Sequence, residues 1–238
     1  MSVPDSGKPR PAILLIGASR GLGHAMAAEF LNKGWTVVGT VRGEARTLLH
    51  DLADAHPGRV EIEILDIREP DQLATLRDRL SGRVFDLLFV NAGTTNRDPG
   101  QTIGEVSTDE FMHLMITNAL GPMRAIEGLE NNVTPTGLIG VMSSGQGSIA
   151  NNTAGGRELY RGSKAALNMF MRGFAARRAG TGRAMVVMAP GWVRTALGGP
   201  DARLSIAESV PGLVNVLLAT QHIPGLHYLD YLGRTVPW

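Results

Sequence analysis

The 238-residue chain contains no cysteine, which excludes a disulfide framework, a thiolate metal site and a thiol nucleophile. It also lacks charge of one sign. With 23 Lys plus Arg against 22 Asp plus Glu, the formal net charge is +1, so no basic excess marks it for nucleic acid. Long hydrophobic runs are missing as well. The most apolar early stretch, Ala12 to Ala18, falls far short of the ~20 residues a bilayer requires, and no small-residue cleavage site follows it. The six histidines, His24, His50, His56, His113, His222 and His227, include no i, i+4 pair, so no metal site is expected. His24 is expected to face solvent on a helix. These absences point to a cytoplasmic protein with neither nucleic acid nor membrane as partner.

What is present suits a large core. Hydrophobic residues make up 43% of the chain, enough for burial without staples. Residues 1–11, with three prolines among them, read as a flexible leader and 12–238 as a single domain. Ile13 to Ile16 is an unbroken apolar run, the mark of a parallel strand covered on both faces. Further strands are predicted at Trp35–Val41, Val60–Ile67, Val84–Val90, Gly137–Met142, Met185–Met188 and His227–Leu232, with helices between them. Pro70 opens one helix, and Ser107 to Glu110 and Ser205 to Glu208 each fit a capping box. The fold class is therefore α/β: a doubly wound Rossmann fold of about seven parallel strands with helices on both faces. Ser143 to Gly156, rich in Gly, Ser, Asn and Thr, reads as a functional loop.

Glycine, at 30 residues, exceeds the ~7% average and clusters at one informative place. Gly17-Ala18-Ser19-Arg20-Gly21-Leu22-Gly23 joins the first strand to the first helix. Glycines there allow a sharp turn and close approach to a pyrophosphate, while the helix N-terminus offers free N–H groups. The spacing is G-x-x-x-G-x-G rather than G-x-G-x-x-G, so position carries as much weight as pattern, and a glycine turn without ligand is the plain alternative. An acid at the end of the next strand would favour an adenosine 2′-hydroxyl and repel a 2′-phosphate. The segment Gly39-Thr40-Val41-Arg42 has no acid, and Arg20 is placed to converge on the same phosphate. The predicted cofactor is NADP(H).

Tyr160 and Lys164 stand four residues apart, one turn along a helix face. A cation near a phenol is expected to lower a pKa of ~10, bringing the tyrosine toward general acid-base work. A solvent-facing helix pair is the bland alternative.

Together these motifs make the chain resemble the short-chain dehydrogenase/reductase family, in its short single-domain branch. The resemblance rests on Gly17, Gly21 and Gly23, on Asn91-Ala92-Gly93, Asn118 and Ser143-Ser144, and on Tyr160-x-x-x-Lys164 and Pro190-Gly191. It implies that Tyr160 is the acid in carbonyl reduction and the base in alcohol oxidation, that Lys164 also holds the nicotinamide ribose, and that Ser144 polarises the carbonyl. Asn118 would anchor a proton-relay water. Asp66 and Ile67 would flank the adenine, Asn91, Ala92 and Gly93 would line the cofactor, and Thr195 would contact the carboxamide. With the glycine loop, including Ser19, Arg20 and Leu22, and with Arg42, Tyr160, Lys164, Pro190, Gly191 and Val193, these complete the expected cofactor site. Gly145 to Asn152, Gly191 to Thr195 and the terminal Pro237-Trp238 look like the C-factor and sniffer-like carbonyl reductase subgroup.

Two departures matter. Ile16 stands where the family usually has Thr, removing a hydroxyl that would brace the strand before Asn91. The interval from Ser144 to Tyr160 is long, which leaves open whether Ser143 or Ser144 faces the substrate; Ser144 is favoured, with Ser143 expected to pair with backbone. Phe111, Leu114 and Met115, with Ala165, Ala166, Met169, Phe170 and Phe174, give two helices more apolar or small faces than a monomer hides, so a dimer or tetramer is expected. Ala196 to Ser205 is expected to be a mobile flap. The expected activity is NADP(H)-dependent hydride transfer to or from a carbonyl or secondary alcohol. A nucleotide-binding signalling protein with incidental turnover is the alternative from another class; a sugar-nucleotide epimerase would more often show G-x-x-G-x-x-G and a longer C-terminal region.

Overall fold

Alternating side chains of each central strand enter two different cores, which is what an unbroken apolar run requires. Leu14 and Ile16 of the first strand join one cluster, and Ile13 and Leu15 join the other. The computed structural model describes residues 9–238. The expected leader thus lies mostly outside the described residues, while Pro11 already accepts a hydrogen bond from Thr36 N at 2.9 Å.

Strands β1 (Ala12–Ile16), β2 (Thr36–Val41), β3 (Val60–Ile64), β4 (Phe85–Val90), β5 (Val133–Met142), β6 (Ala184–Ala189) and β7 (Gly225–Asp230) form one parallel sheet in the order 3-2-1-4-5-6-7. One face is covered by α3 (Pro70–Arg79), α5 (Gly121–Leu129) and α6 (Glu158–Arg177), through Leu76, Ile126, Leu129, Leu167, Met171 and Phe174. The other carries α1 (Gly21–Asn32), α2 (Leu48–Ala55) and α7 (Ile206–Thr220), through Met26, Phe30, Leu49, Leu213 and Leu217. Each such side chain contributes ~1.5–3 kcal/mol relative to exposure, which fixes both helical layers on the sheet. Helix α4 (Thr108–Met115) runs through a five-residue π turn, Ile116–Leu120, directly into α5. The strand order reverses between β1 and β4, and a crevice opens there at the carboxyl edge.

Several boundaries differ from expectation for local reasons. Strand β3 stops at Ile64 because Asp66 leaves the ladder: its N–H donates to Gln72 Oε1 at 2.7 Å. Strand β5 begins at Val133, four residues early, despite Pro135; its pairing with β4 shifts register between Phe85 and Leu87. Strand β7 covers Gly225–Asp230 rather than 227–232, since Asp230 Oδ1 closes a turn on the N–H groups of Leu232 and Arg234. The Ser205–Glu208 capping box forms in full. The Ser107 box forms only by half: Ser107 Oγ accepts from Glu110 N at 3.2 Å, but the Glu110 carboxylate is taken by Arg97 N at 2.9 Å. His24 is half-buried rather than solvent-facing, and burial pushes its imidazole below its ordinary value against the pull of Asp51.

Candidate active site

The glycine loop is built to leave the start of α1 open. Gly17 sits at φ +88°, and a Cβ there would lie 2.8 Å from the Ala92 backbone, so β1 and the segment after β4 meet too closely for any side chain. The brace that Ile16 does not supply comes from elsewhere: Asn91 Nδ2 donates to Gly17 O at 2.8 Å, and Gly17 N donates to Thr40 Oγ1 at 2.9 Å. Ile16 O accepts from both Asn91 N and Ala92 N. Arg20, the residue before α1, makes no side-chain cap, and the first turn holds no acid. The first N–H groups are therefore left for a ligand, at the end where the helix dipole is positive. Arg20 and Arg42, both exposed, follow the ends of the neighbouring strands β1 and β2. Ser19 is half-buried beside them. Ile67 is buried, and the Arg68 guanidinium holds the Asp66 carboxyl below its usual range.

Across the switch point, α6 brings Tyr160 and Lys164 to the same edge, both buried. Lys164 Nζ donates to Met142 O at 2.9 Å, at the last residue of β5, and lies 5.9 Å from the Tyr160 ring centre. The expected lowering of the phenol does not occur. Burial raises Tyr160 despite the opposing Ser144 hydroxyl and the Arg157 charge, and burial alone pulls Lys164 down to about 8. Both ionised forms lose hydration in the closed edge of the sheet, and that loss moves each group toward its neutral form.

The two serines have separate tasks. Ser143 is buried, and its hydroxyl donates to Asn168 Oδ1 at 2.7 Å, a side chain rather than the expected backbone partner. Asn168 Nδ2 in turn holds Gly147 O at 3.0 Å. Ser144 lines the cavity beside Tyr160, and its backbone carbonyl accepts from the Tyr228 hydroxyl. Asn118 lies in the π turn, where bonding shifts to i, i+5 as in Gly121 N to Ile116 O. Its amide is fully engaged: Oδ1 accepts from Thr94 N at 2.8 Å, and Nδ2 donates to Thr94 O at 2.9 Å and to Ser163 Oγ at 3.0 Å. Lys164 Nζ and Asn118 Oδ1 both crowd the Cβ position of Gly93, at 3.3 and 3.4 Å.

A cavity of about 370 Å³ joins these pieces, lined by Leu22 from α1, by Ser144 and Tyr160, and by Pro190, Gly191, Val193 and Thr195 after β6. The segment expected to be a mobile flap meets the residues just before it at three points: Val193 bridges Leu204, Trp192 Nε1 donates to Gly198 O at 2.7 Å, and Arg194 Nη1 donates to Ala202 O at 2.8 Å. Among the described residues no group of three or more His, Asp or Glu is placed to hold a metal. No helix there is long and apolar enough to cross a membrane.

The family model for short chain dehydrogenase matches residues 11–203. The chain belongs to the short-chain dehydrogenase family. It is 71% identical to a Burkholderia multivorans protein assigned to the short-chain dehydrogenases/reductases and crystallised with bound NADP, with a TM-score of 0.96 over 97% of this chain and 100% of that one. A carbonyl reductase of Pseudomonas aeruginosa PAO1 in complex with NADP is 31% identical, with a TM-score of 0.89 over 97% of this chain and 100% of that one. The C-signal of Myxococcus xanthus is 36% identical over 155 residues, 64% of this chain and 92% of that protein. These relatives agree with the subgroup that the loop after β5 and the C-terminal residues resemble.

For a short-chain dehydrogenase of this shape, sequence reading missed Asn168, Tyr228, Gln146, Arg157, Asp230, Tyr231 and Arg234, which line or brace the cavity. Asn168 alone carried a signal, continuing the four-residue step from Tyr160 through Lys164. The others come from the loop before α6, from β7 and from the turn after it.

Proposed function

We propose that this protein is an NADP(H)-dependent carbonyl reductase, an alcohol dehydrogenase in reverse, with Tyr160 as general acid and base. The reading is carried by one observation: Tyr160, kept neutral by burial, shares a cavity and hydrogen-bonding reach with the Ser144 hydroxyl. The residues present fit the cofactor. The open start of α1 suits a pyrophosphate, the exposed Arg20 and Arg42 suit a 2′-phosphate, and two relatives contain NADP. Asn91 to Gly93, Ile67 with Asp66, and Pro190 to Thr195 would line its remaining length. NADPH bound there supplies the hydride that reduces the carbonyl carbon.

The chain's own residues handle the charge that develops on oxygen. Tyr160 O–H passes its proton to the carbonyl oxygen, and Ser144 O–H donates a hydrogen bond to the same atom, so negative charge meets two fixed donors as it forms. Lys164, at about 8, is mostly cationic near neutral pH and stabilises the phenolate left behind. Asn118, its side chain bonded to Thr94 and Ser163, braces the π turn, and its proposed task is to anchor a proton-relay water.

The exposed Phe111 and Met112 of α4, Leu120 of the π turn, and Met169 and Phe170 of α6 form the face for a second copy, giving a dimer or tetramer. Leu114 and Phe174, expected on that face, are instead buried within the protomer. The proposed compartment is the cytoplasm.

The experiment is a screen of ketones, aldehydes and diketones for NADPH consumption, with NADH in parallel. Turnover with a higher kcat/KM for NADPH supports the reading. Equal or better kcat/KM with NADH contradicts the cofactor assignment, and no turnover despite NADPH binding returns the signalling alternative.

A further inference from the structure

Arg157 is the one non-glycine residue at positive φ among the described residues, with φ 51° and ψ 38° immediately before α6. Side chains hold that backbone region at a cost, and strain of this kind concentrates where a site demands it. Glycine adopts it freely, as Gly155 and Gly156 just before it do. The guanidinium reaches into the cavity wall and lies over the Tyr160 ring, 5.0 Å from its centre. Its one hydrogen bond, Nη2 to Thr95 Oγ1, is long at 3.3 Å. Three buried side-chain polar atoms lack a partner among the described residues, and two of them, Arg157 Nε and Gln146 Oε1, belong to residues of this cavity. Native interiors leave few such groups, and those they leave call for an explanation.

The surrounding charges do not compensate Arg157. The other charged residues of the wall, Asp230 and Arg234, satisfy each other, Nε to Oδ2 at 2.7 Å. Among the described residues Arg157 forms no ion pair; Glu158 accepts from Ile103 N and Glu110 from Arg97 N. An arginine with five donors and no carboxylate partner, one turn from the proton donor, is suited to an anion brought in by the ligand.

We propose that Arg157 selects carbonyl substrates bearing a carboxylate, holding that group while the carbonyl faces Tyr160 and Ser144. The substrate class is then a small oxo acid, and the assignment rests on the reductase reading above.

The test reads binding rather than turnover, so the two can fail separately. NADPH-loaded protein is titrated calorimetrically at pH 7 and low salt with benzoate against benzamide, and with cyclohexanecarboxylate against its amide. Wild type is expected to bind the carboxylate of each pair at least ~10-fold more tightly, as charge-assisted hydrogen bonding predicts. Arg157→Met and Arg157→Gly are expected to lose that preference, and Arg157→Lys to keep part of it. Arg157→Gly relaxes the left-handed turn, so misfolding does not account for its loss. Equal binding of acid and amide by wild type, or a preference that survives in both variants, overturns the proposal. So does a 10-fold loss of NADPH affinity in the variants with the carboxylate preference intact, which would assign Arg157 to the cofactor. A wild type that discriminates carboxylates yet reduces no carbonyl would keep the anion site and refute the reductase reading instead.

Discussion

Helices α4 and α7 begin on serines that accept a hydrogen bond from the first turn, whereas α1 and α6 begin on arginines that make no cap at all. The serine-started ends are closed by their own residues, most completely at Ser205 and Glu208, where three side-chain bonds of 2.7 to 3.2 Å satisfy the turn. The arginine-started ends border the cavity: α1 contributes Leu22 and α6 contributes Tyr160. A capping residue adds ~1 kcal/mol of local stability, and its absence leaves donors and positive charge for something outside the chain. In the proposed reading the arginine-started ends of α1 and α6 face the ligand, while the serine-started ends of α4 and α7 hold the scaffold.

That contrast can be broken most severely at α1. A Cβ at Gly23 would lie 2.0 Å from Gly17 O and 2.6 Å from Asn91 Nδ2. Gly23→Ala is therefore expected to cost ~1–3 kcal/mol of stability and to weaken NADPH binding by ~10-fold or more, measured by chemical unfolding and by fluorescence titration.

At α6 the expected effect is a gain in stability with a loss of chemistry. Lys164 is buried with a single hydrogen bond, and its folded pKa of about 8 lies below the ordinary value of 10.5. Below pH 8 the folded state carries the full cost of a desolvated ammonium. Between about 8 and 10.5 the unfolded chain binds the extra proton, so stability rises with pH there. Lys164→Met removes that dependence. Its ligand-free form is expected to melt several degrees above wild type at pH 7, the gap closing above pH 8, while activity is lost. A gap that widens with pH would contradict the burial argument. The smallest effect belongs to the closed end: Ser205→Ala is expected to lower Tm by ~2–4 °C with kcat/KM within ~2-fold of wild type.

The features that were legible in the sequence are those governed by local rules. Unbroken runs such as Ile13 to Ile16 announced buried parallel strands, Ser205 with Glu208 announced a capped helix start, and the glycine loop announced the strand-to-helix turn before α1. Where tertiary contacts compete with local rules, the reading went astray. Pro135 concealed the start of β5, Arg97 drew Glu110 away from its box, and nothing around Asn118 marks a π turn. The direction of the Tyr160 shift depends on burial by elements distant in sequence, which four-residue spacing does not report. Arg157 was invisible for the same reason, since a left-handed arginine follows from the loop's path between Gly156 and α6.

The central claim is that the Tyr160 hydroxyl carries the proton in NADPH-dependent carbonyl reduction. Its most direct test is kcat for Tyr160→Phe, followed by NADPH absorbance on the best carbonyl from the screen and compared with wild type at saturating cofactor. A fall of at least ~10²-fold is the expected result, the lower range for loss of a general acid. Turnover within a few fold of wild type would place the proton donor elsewhere.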